Sequence, residues 1–316
     1  MNIGYACLTV DVPNTDFKSC ILRNASEERL LELIAHNLNS LENIIDYNIK
    51  NNIRLFRISS DIIPFGSNPV NKIAWWQIFS PQLLKISKKI KASKIRVSMH
   101  PGQYTVLNSP NEDVVYRAIK DLIYHTKFLD ALKLDEKNKI VLHIGGVYND
   151  KVASINRFIA SYNDLDSSIK SRLVIENDDK CYNINDVLYI SKKLNIPVIY
   201  DNLHNKINPF DKKNDDYYWI DKCYKTWRKK DGAQKIHYAQ RDPNKKNGSH
   251  SNTIQIDEFI NFYENLKNND IDIMLEVKDK NISALKCISS IHHYMQKSHH
   301  PQECGDHIFT HTHKLE

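Results

Sequence analysis

The chain has 316 residues, 41% of them hydrophobic and 26% charged, with six cysteines and a net charge of +6. That composition excludes a disordered chain, and scattered cysteines without a Cys-x-x-Cys pair read as reduced thiols, not a disulfide scaffold. No stretch approaches the roughly 18 consecutive apolar residues of a membrane span. The first residues lack a signal peptide's basic region and apolar core, so the expected location is the cytoplasm.

Ile3 to Leu8, containing Gly4 and Tyr5, predicts a first strand, and Glu27 to Lys50 a helix with Leu31, Ile34, Leu38, Leu41 and Ile45 on one face. Ile53 to Ser59 predicts the second strand and runs into Ser60 and Asp61; Trp75 to Lys91 predicts the next helix. From there each apolar segment ends on a polar residue able to bind a metal. Arg96 to Met99 leads into His100, Lys139 to Leu142 into His143, and Leu173 to Ile175 into Glu176. Val198 to Tyr200 leads into Asp201, with His204 three residues on; Lys235 and Ile236 lead into His237, and Ile273 to Leu275 into Glu276. Helical periods separate them at 111–132, 151–162, 183–194, 215–228, 257–266 and 282–295.

Strand and helix alternate eight times without a Gly/Ser/Pro-rich linker, which implies a parallel sheet closed into a (β/α)8 TIM barrel. No Gly-x-Gly-x-x-Gly follows the first strand, against a dinucleotide fold. In such barrels the site lies at the C-terminal strand ends, where these residues sit. Residues 1–297 are expected to form the barrel domain and 298–316 a tail. Extended loops at 64–71, 100–110 and 240–252 would cover the site face.

A lone histidine at a strand end is an ordinary rim residue. Six ionisable groups at one mouth would leave uncompensated buried charge unless a cation joined them. Imidazole and carboxylate ligands suit Mn²⁺, Zn²⁺, Fe²⁺ or Mg²⁺. Asp201-x-x-His204 reads as an ordinary turn alone and as entry to a further metal beside the others. His250 is evenly balanced between a loop histidine and a ligand. Lys235 lies two residues before His237 and shares its face, into the barrel. It needs either an ion pair with Glu176, Glu276 or Asp201, or conversion to a carboxylysine. Pro101-Gly102 is a turn that would present Gln103 and Tyr104. Arg241, Lys245 and Lys246 make the loop after strand seven basic. In the tail, Cys304-x-x-His307-x-x-x-His311 has metal-like spacing without a predicted scaffold.

Several motifs together resemble the UV damage endonucleases. They are Gly4-Tyr5, Phe56-Arg57-Ile58-Ser59-Ser60, Ile63-Pro64-Phe65, Ser98-Met99-His100-Pro101-Gly102-Gln103-Tyr104 and Leu142-His143-Ile144-Gly145-Gly146. Ile175-Glu176-Asn177-Asp178, Lys235-Ile236-His237-Tyr238, Asp242-Pro243, Gly248-Ser249-His250 and Leu275-Glu276-Val277-Lys278 complete them. That family is a TIM barrel similar in site layout to the endonuclease IV apurinic enzymes. The resemblance implies incision of UV-damaged double-stranded DNA immediately 5′ to photoproducts such as pyrimidine dimers and 6-4 photoproducts, with two or three divalent ions, Mn²⁺ first and Zn²⁺ or Mg²⁺ as alternatives.

It further implies metal ligation by His100, His143, Glu176, Asp201, His204, His237, His250 and Glu276, and carboxylation of Lys235. Glu176, Lys235 and Glu276 become the candidate catalytic residues. Tyr5, Gln103 and Tyr104 become candidate lesion contacts, with Arg241, Lys245 and Lys246 on the DNA. The family usually carries histidine after Pro-Phe-x-Ser; here the residue is Asn68, whose amide is a poor ligand and no proton donor near neutrality. The expected enzyme is monomeric and acts at the nucleoid. The competing expectations are an apurinic endonuclease, a sugar isomerase on the same barrel, and a barrel that binds damage without cutting.

Overall fold

The computed structural model describes residues 1–246, 248–267 and 270–299. The strands are β1 (Ile3–Cys7), β2 (Leu55–Ile58), β3 (Arg96–Met99), β4 (Lys139–His143), β5 (Leu173–Glu176), β6 (Val198–Asp201), β7 (Gln234–Tyr238) and β8 (Ile271–Leu275). Each pairs in parallel with the next, and β8 pairs with β1, so the sheet closes into a barrel. The helices are α1 (Glu27–Lys50), α2 (Trp75–Ile78), α3 (Ser80–Ala92), α4 (Glu112–Ala131), α5 (Lys151–Asn163), α6 (Ser167–Arg172), α7 (Ile184–Leu194), α8 (Asn202–Ile207), α9 (Asp216–Tyr224), α10 (Ile256–Glu264) and α11 (Asn281–His299). Among the described residues no helix is long and apolar enough to cross a membrane.

Helix starts follow side-chain chemistry. Ser26 caps α1 by accepting from the Arg29 amide, with Glu27 and Glu28 against the positive end of the helix. Asn183 and Asp186 form a reciprocal capping box on α7. The helix expected over 75–91 is two: the chain breaks at Phe79 and restarts at Ser80, with Pro81 in the first turn of α3, because Pro81 has no N–H to bond back to the Gln77 carbonyl and its ring crowds that carbonyl. Periodicity does not predict the short α6 and α8, and α9 and α10 are shorter than their patterns suggest. The tail reading from residue 300 onward, including Cys304, His307 and His311, lies outside the described residues.

Alternation along the strands sorts the side chains into two environments. Tyr5, Phe56, Val97, Ile140, Leu142, Ile175, Tyr200, Ile236, Tyr238 and Ile273 point outward into the main apolar core beneath the helices. The inward set is smaller: Ala6, Leu55 and Met274 on one side and Val141, Val174 and Ile199 on the other. Apart from Gly4 and Ser98, the remaining inward positions are ionisable, and most are paired. Arg96 donates to Asp272 at 2.9 Å and to the carbonyls of Ala233 and Asp231, with its guanidinium over the Trp227 ring. Lys139 meets Asp231 at 2.5 Å. These pairs satisfy charges that water cannot reach.

Gly4 sits where β1 approaches β2 most closely; a Cβ there would overlap the Leu55 carbonyl. Gly4→Ala is expected to cost at least about 2 kcal/mol, at the upper range of overpacking, read as a lower urea midpoint. A midpoint matching the parent would contradict this packing.

Candidate metal centre and its cleft

The strand ends place the expected ligands on one ring. His143, Glu176 and Asp201 are the last residues of β4, β5 and β6; His100 and Glu276 immediately follow β3 and β8; and His237 lies inside β7. His204 comes from the first turn of α8, not from a simple turn, because the Asp201 carboxylate accepts the His204 amide at 2.7 Å and caps that helix. His250 is brought to the rim by an antiparallel bridge with Arg241 that folds the long loop back on itself.

Glu176 is the centre of the ring, with a side chain only 1% exposed. One oxygen, Oε2, faces Nε2 of His100 at 3.3 Å and Nε2 of His143 at 3.9 Å. The other, Oε1, faces Nδ1 of His237 at 3.0 Å and Nδ1 of His204 at 3.4 Å. Glu276 extends the second half, 3.3 Å from His237 and 3.9 Å from His250. Two donor groups result, His100–His143–Glu176 and Glu176–Asp201–His237, each with ligand atoms close enough for one ion. They share Glu176 and nothing else.

The outer partners of these ligands fix their orientation, as supporting hydrogen bonds do in metal sites generally. His100 donates its Nδ1 proton to the Pro101 carbonyl and His204 donates its own to the Asn177 carbonyl, which leaves Nε2 of each to ligate. Asn177 and Asp201 exchange side-chain and backbone bonds at 3.0 and 2.9 Å. Arg57 grips Glu276 at 2.5 Å. The sequence motif contained Arg57 and Asn177, but their orienting roles needed strand parity and partner positions to become visible; Arg57 is two residues from the inward Leu55.

Burial and neighbouring charges pull the ionisable groups of the ring in opposite directions. Burial opposes ionisation of Glu176, but the combined pull of His237, His143, His100 and His204 holds its pKa well below the usual carboxylate range. Burial pushes Asp201 up to about 6 although His204 works against it. Burial lowers His143 to about 4, whereas His204 is raised to about 11 because Asp201 and Glu176 outweigh its desolvation. Asp201 Oδ2, His237 Nε2 and His143 Nδ1 are buried without a hydrogen-bond partner among the described residues. Unpartnered acceptors in so dense a set of imidazoles and carboxylates are what divalent ions would satisfy. The residues present fit such ions.

Lys235 is fully buried, and its Nζ has no hydrogen-bond partner among the described residues; the ion pair with Glu176, Glu276 or Asp201 is not formed. Burial, reinforced by Arg96, Arg57 and Lys139 against the opposing Asp272, holds its pKa well below the ordinary lysine value.

A cleft of about 960 Å³ opens beside the ring, lined among others by Gln103, Tyr104, His143, Asp178, Lys180 and His204. Gln103 is exposed and Tyr104 is 69% exposed. The Tyr104 ring lies across Gly102, where a Cβ would collide with it. Asn68 lines the same cleft, but its side-chain oxygen accepts the Val70 amide at 3.0 Å and caps its own turn. Arg241, Lys245 and Lys246 are exposed on the far rim, with Lys245 held by Asp242 at 3.1 Å.

Tyr5 corrects an expectation. It is fully buried, its ring packs on Phe56, and its hydroxyl donates to Asn48 of α1 at 2.8 Å. Its neighbour Ala6 takes the inward parity, so Tyr5 faces a helix and not the cleft.

A family model described as "UV-endonuclease UvdE" matches residues 1–302. The "UV DNA damage endonuclease" of Clostridium perfringens is 51% identical over 92% of this chain and 71% of its own length. The crystal structure of SacUVDE superposes with a TM-score of 0.88 at 40% identity, covering 93% of this chain and 99% of that one. Endonuclease IV from Thermus thermophilus gives a TM-score of 0.60 at 10% identity over 93% of this chain and 99% of its own, a likeness of fold alone.

Tyr5→Phe is expected to lower stability by about 1 kcal/mol, one lost hydrogen bond, and to leave affinity for UV-irradiated duplex unchanged. A tenfold loss of that affinity at unchanged stability would restore the lesion contact.

Proposed function

The chain belongs to the UV damage endonuclease family and is an endonuclease acting on DNA; we propose that it works as a monomer in the cytoplasm, at the nucleoid, and cuts UV-damaged duplex immediately 5′ to pyrimidine dimers and 6-4 photoproducts. The observation that carries this reading is Glu176, whose two oxygens face two separate ligand groups. Divalent ions are its cofactors, and two or three Mn²⁺ are the proposed occupants, with Zn²⁺ or Mg²⁺ as alternatives. Bound there, they would act as Lewis acids on the scissile phosphodiester and lower the pKa of water beside it.

The chain's own residues do the rest. His100, His143 and Glu176 would hold one ion and Glu176, Asp201 and His237 another, with His204, 3.4 Å from Glu176, as a further ligand. His250 and Glu276 supply a third at the rim, and Arg57 keeps Glu276 from swinging away. Glu176, Lys235 and Glu276 are the proposed catalytic residues. Gln103 and Tyr104 enter the duplex where stacking is already weakened, since extruding a damaged dinucleotide costs less than extruding paired bases. Arg241, Lys245 and Lys246 contact phosphates, which makes binding salt-dependent. The immediate test is nicking of UV-irradiated plasmid with EDTA and with added Mn²⁺; cutting that survives EDTA, or that ignores irradiation, would sink the reading.

Glu176→Gln is expected to lower incision by at least about a thousandfold, because metal positioning supplies several kcal/mol and an amide cannot join two cations. A variant keeping more than about a tenth of the parent rate would contradict the bridging role.

Lys235 is expected to be carboxylated in the metal-loaded enzyme. Its amine is buried, unpartnered and held toward the neutral, nucleophilic form, while an ammonium would be repelled by the ions. Electron density from crystals grown at neutral or higher pH decides this; a bare, well-ordered amine refutes it.

Gln103→Ala with Tyr104→Ala is expected to weaken binding to damaged duplex while affinity for undamaged duplex and metal content stay level. Both affinities are measured at one salt concentration. A double variant that prefers damaged DNA as strongly as its parent would show that this loop does not probe the lesion.

A further inference from the structure

Along one wall of the cleft, beside the metal ring, runs a largely buried polar chain that supplies none of the candidate metal ligands. The Ser60 hydroxyl donates to the His100 carbonyl at 2.6 Å. His125 of α4, fully buried, donates from Nδ1 to the Asp121 carbonyl at 2.7 Å, and its Nε2, an acceptor 2.9 Å from the Ser60 oxygen, shares the one Ser60 hydroxyl proton with the His100 carbonyl. The Asp121 carboxylate accepts the Thr105 hydroxyl at 2.6 Å, a bond buried on both sides. Tyr124 tightens the near end by donating to the Ser60 carbonyl at 2.8 Å.

The two ends of this chain are five residues apart in sequence. One holds the backbone of His100, the other the side chain of Thr105, and between them lie only Pro101, Gly102, Gln103 and Tyr104. The Thr105 amide closes the turn onto the Gly102 carbonyl at 2.9 Å. Apolar side chains would pack α4 against the barrel without the risk of burying polar groups; a polar chain is rigid only when every member is satisfied. These four residues fix geometry along the one segment that carries both a metal ligand and the exposed pair.

We propose that Ser60, His125, Asp121 and Thr105 form a positioning bracket that holds the metal-ligand end and the lesion-probe end of the β3–α4 loop in a fixed relation. It rests on the reading of Gln103 and Tyr104 as the probe. The bracket separates two jobs. Its Ser60 end orients His100 for metal, and its Thr105 end pre-orders the probe so that less freedom is lost on insertion into DNA.

The test uses the full-length Mn²⁺-loaded protein with Thr105→Val, Thr105→Ser and Ser60→Ala. Thr105→Val removes the hydroxyl at nearly constant shape. It should lower the preference for damaged over undamaged duplex by about fivefold, the scale of freeing one or two side chains, while kcat at saturating damaged duplex holds. Thr105→Ser should restore the preference. Hydrogen exchange in the peptide spanning 101–107, measured without DNA, should rise in the valine variant and not in the serine one. Ser60→Ala should raise the Mn²⁺ needed for half-maximal nicking by about tenfold, as loss of an outer-shell partner does; excess Mn²⁺ should recover the rate, with preference intact.

Parent-like preference and exchange in Thr105→Val overturn the bracket. So does Thr105→Ser behaving like Thr105→Val, which would leave a packing role only, or an unchanged Mn²⁺ requirement in Ser60→Ala. If the parent protein itself shows no preference for damaged duplex, the probe reading fails, and the exchange and Mn²⁺ measurements still decide the bracket.

Discussion

One buried carboxylate organises this molecule. Glu176 ends β5 with four imidazoles within 4 Å of its two oxygens, at a depth where an unneutralised charge is costly. Everything around it manages that charge. Histidines approach from three strands and one helix, Arg57 restrains the second carboxylate, and Asn177 locks Asp201. The apolar energy of folding is gathered elsewhere, between the outward strand faces and the helices. The barrel interior is thereby free to hold Arg57, Arg96 and Lys139 with their acidic partners, and the unpaired Lys235. A conventional interior filled by layers of branched apolar side chains would leave no room for them.

The fold and most of the ring were legible because both follow from strand periodicity. An apolar run ending in His or Glu, repeated around a barrel, puts those residues at one mouth. What was not legible depends on parity and on local competition. Tyr5 belongs to a motif shared with DNA-repair enzymes, yet its alternation with Ala6 turns it outward to Asn48; the motif gave no hint of which neighbour faces in. Arg57 carries its role through the same parity, read in the other direction. The D-x-x-H spacing resembled a turn because its capping bond is the start of a helix too short to show amphipathic periodicity. Asn68 stands where the resemblance implies a histidine, and its side chain instead accepts the Val70 amide within its own turn.

The proposed metal ligand His100 and the proposed probe pair lie on one short segment. His100 is the last rigid point of β3, and Gln103 and Tyr104 follow within one turn. Any displacement of that turn on binding DNA is transmitted to a metal ligand unless something stiff absorbs it. The chain through Ser60, His125 and Asp121 ties both ends to α4, a twenty-residue helix packed on the barrel wall. The opposite rim is built differently: the segment around Arg241 and Lys246 is held mainly by backbone bonds of the loop to itself, Asp242 to Ser249 and Ser251 to Gln240, and by the Asp242 carboxylate. Phosphate contacts there tolerate looser geometry than insertion into a base stack, because they position the duplex through charge.

The central claim is that Glu176 joins two cation positions. Electron paramagnetic resonance of the protein titrated with Mn²⁺ tests it most directly, since two Mn²⁺ ions sharing a carboxylate are magnetically coupled. The account expects a coupled spectrum in the parent protein and only isolated-ion signals in Glu176→Gln. A coupled spectrum that survives the substitution, or isolated signals in the fully loaded parent, would contradict it.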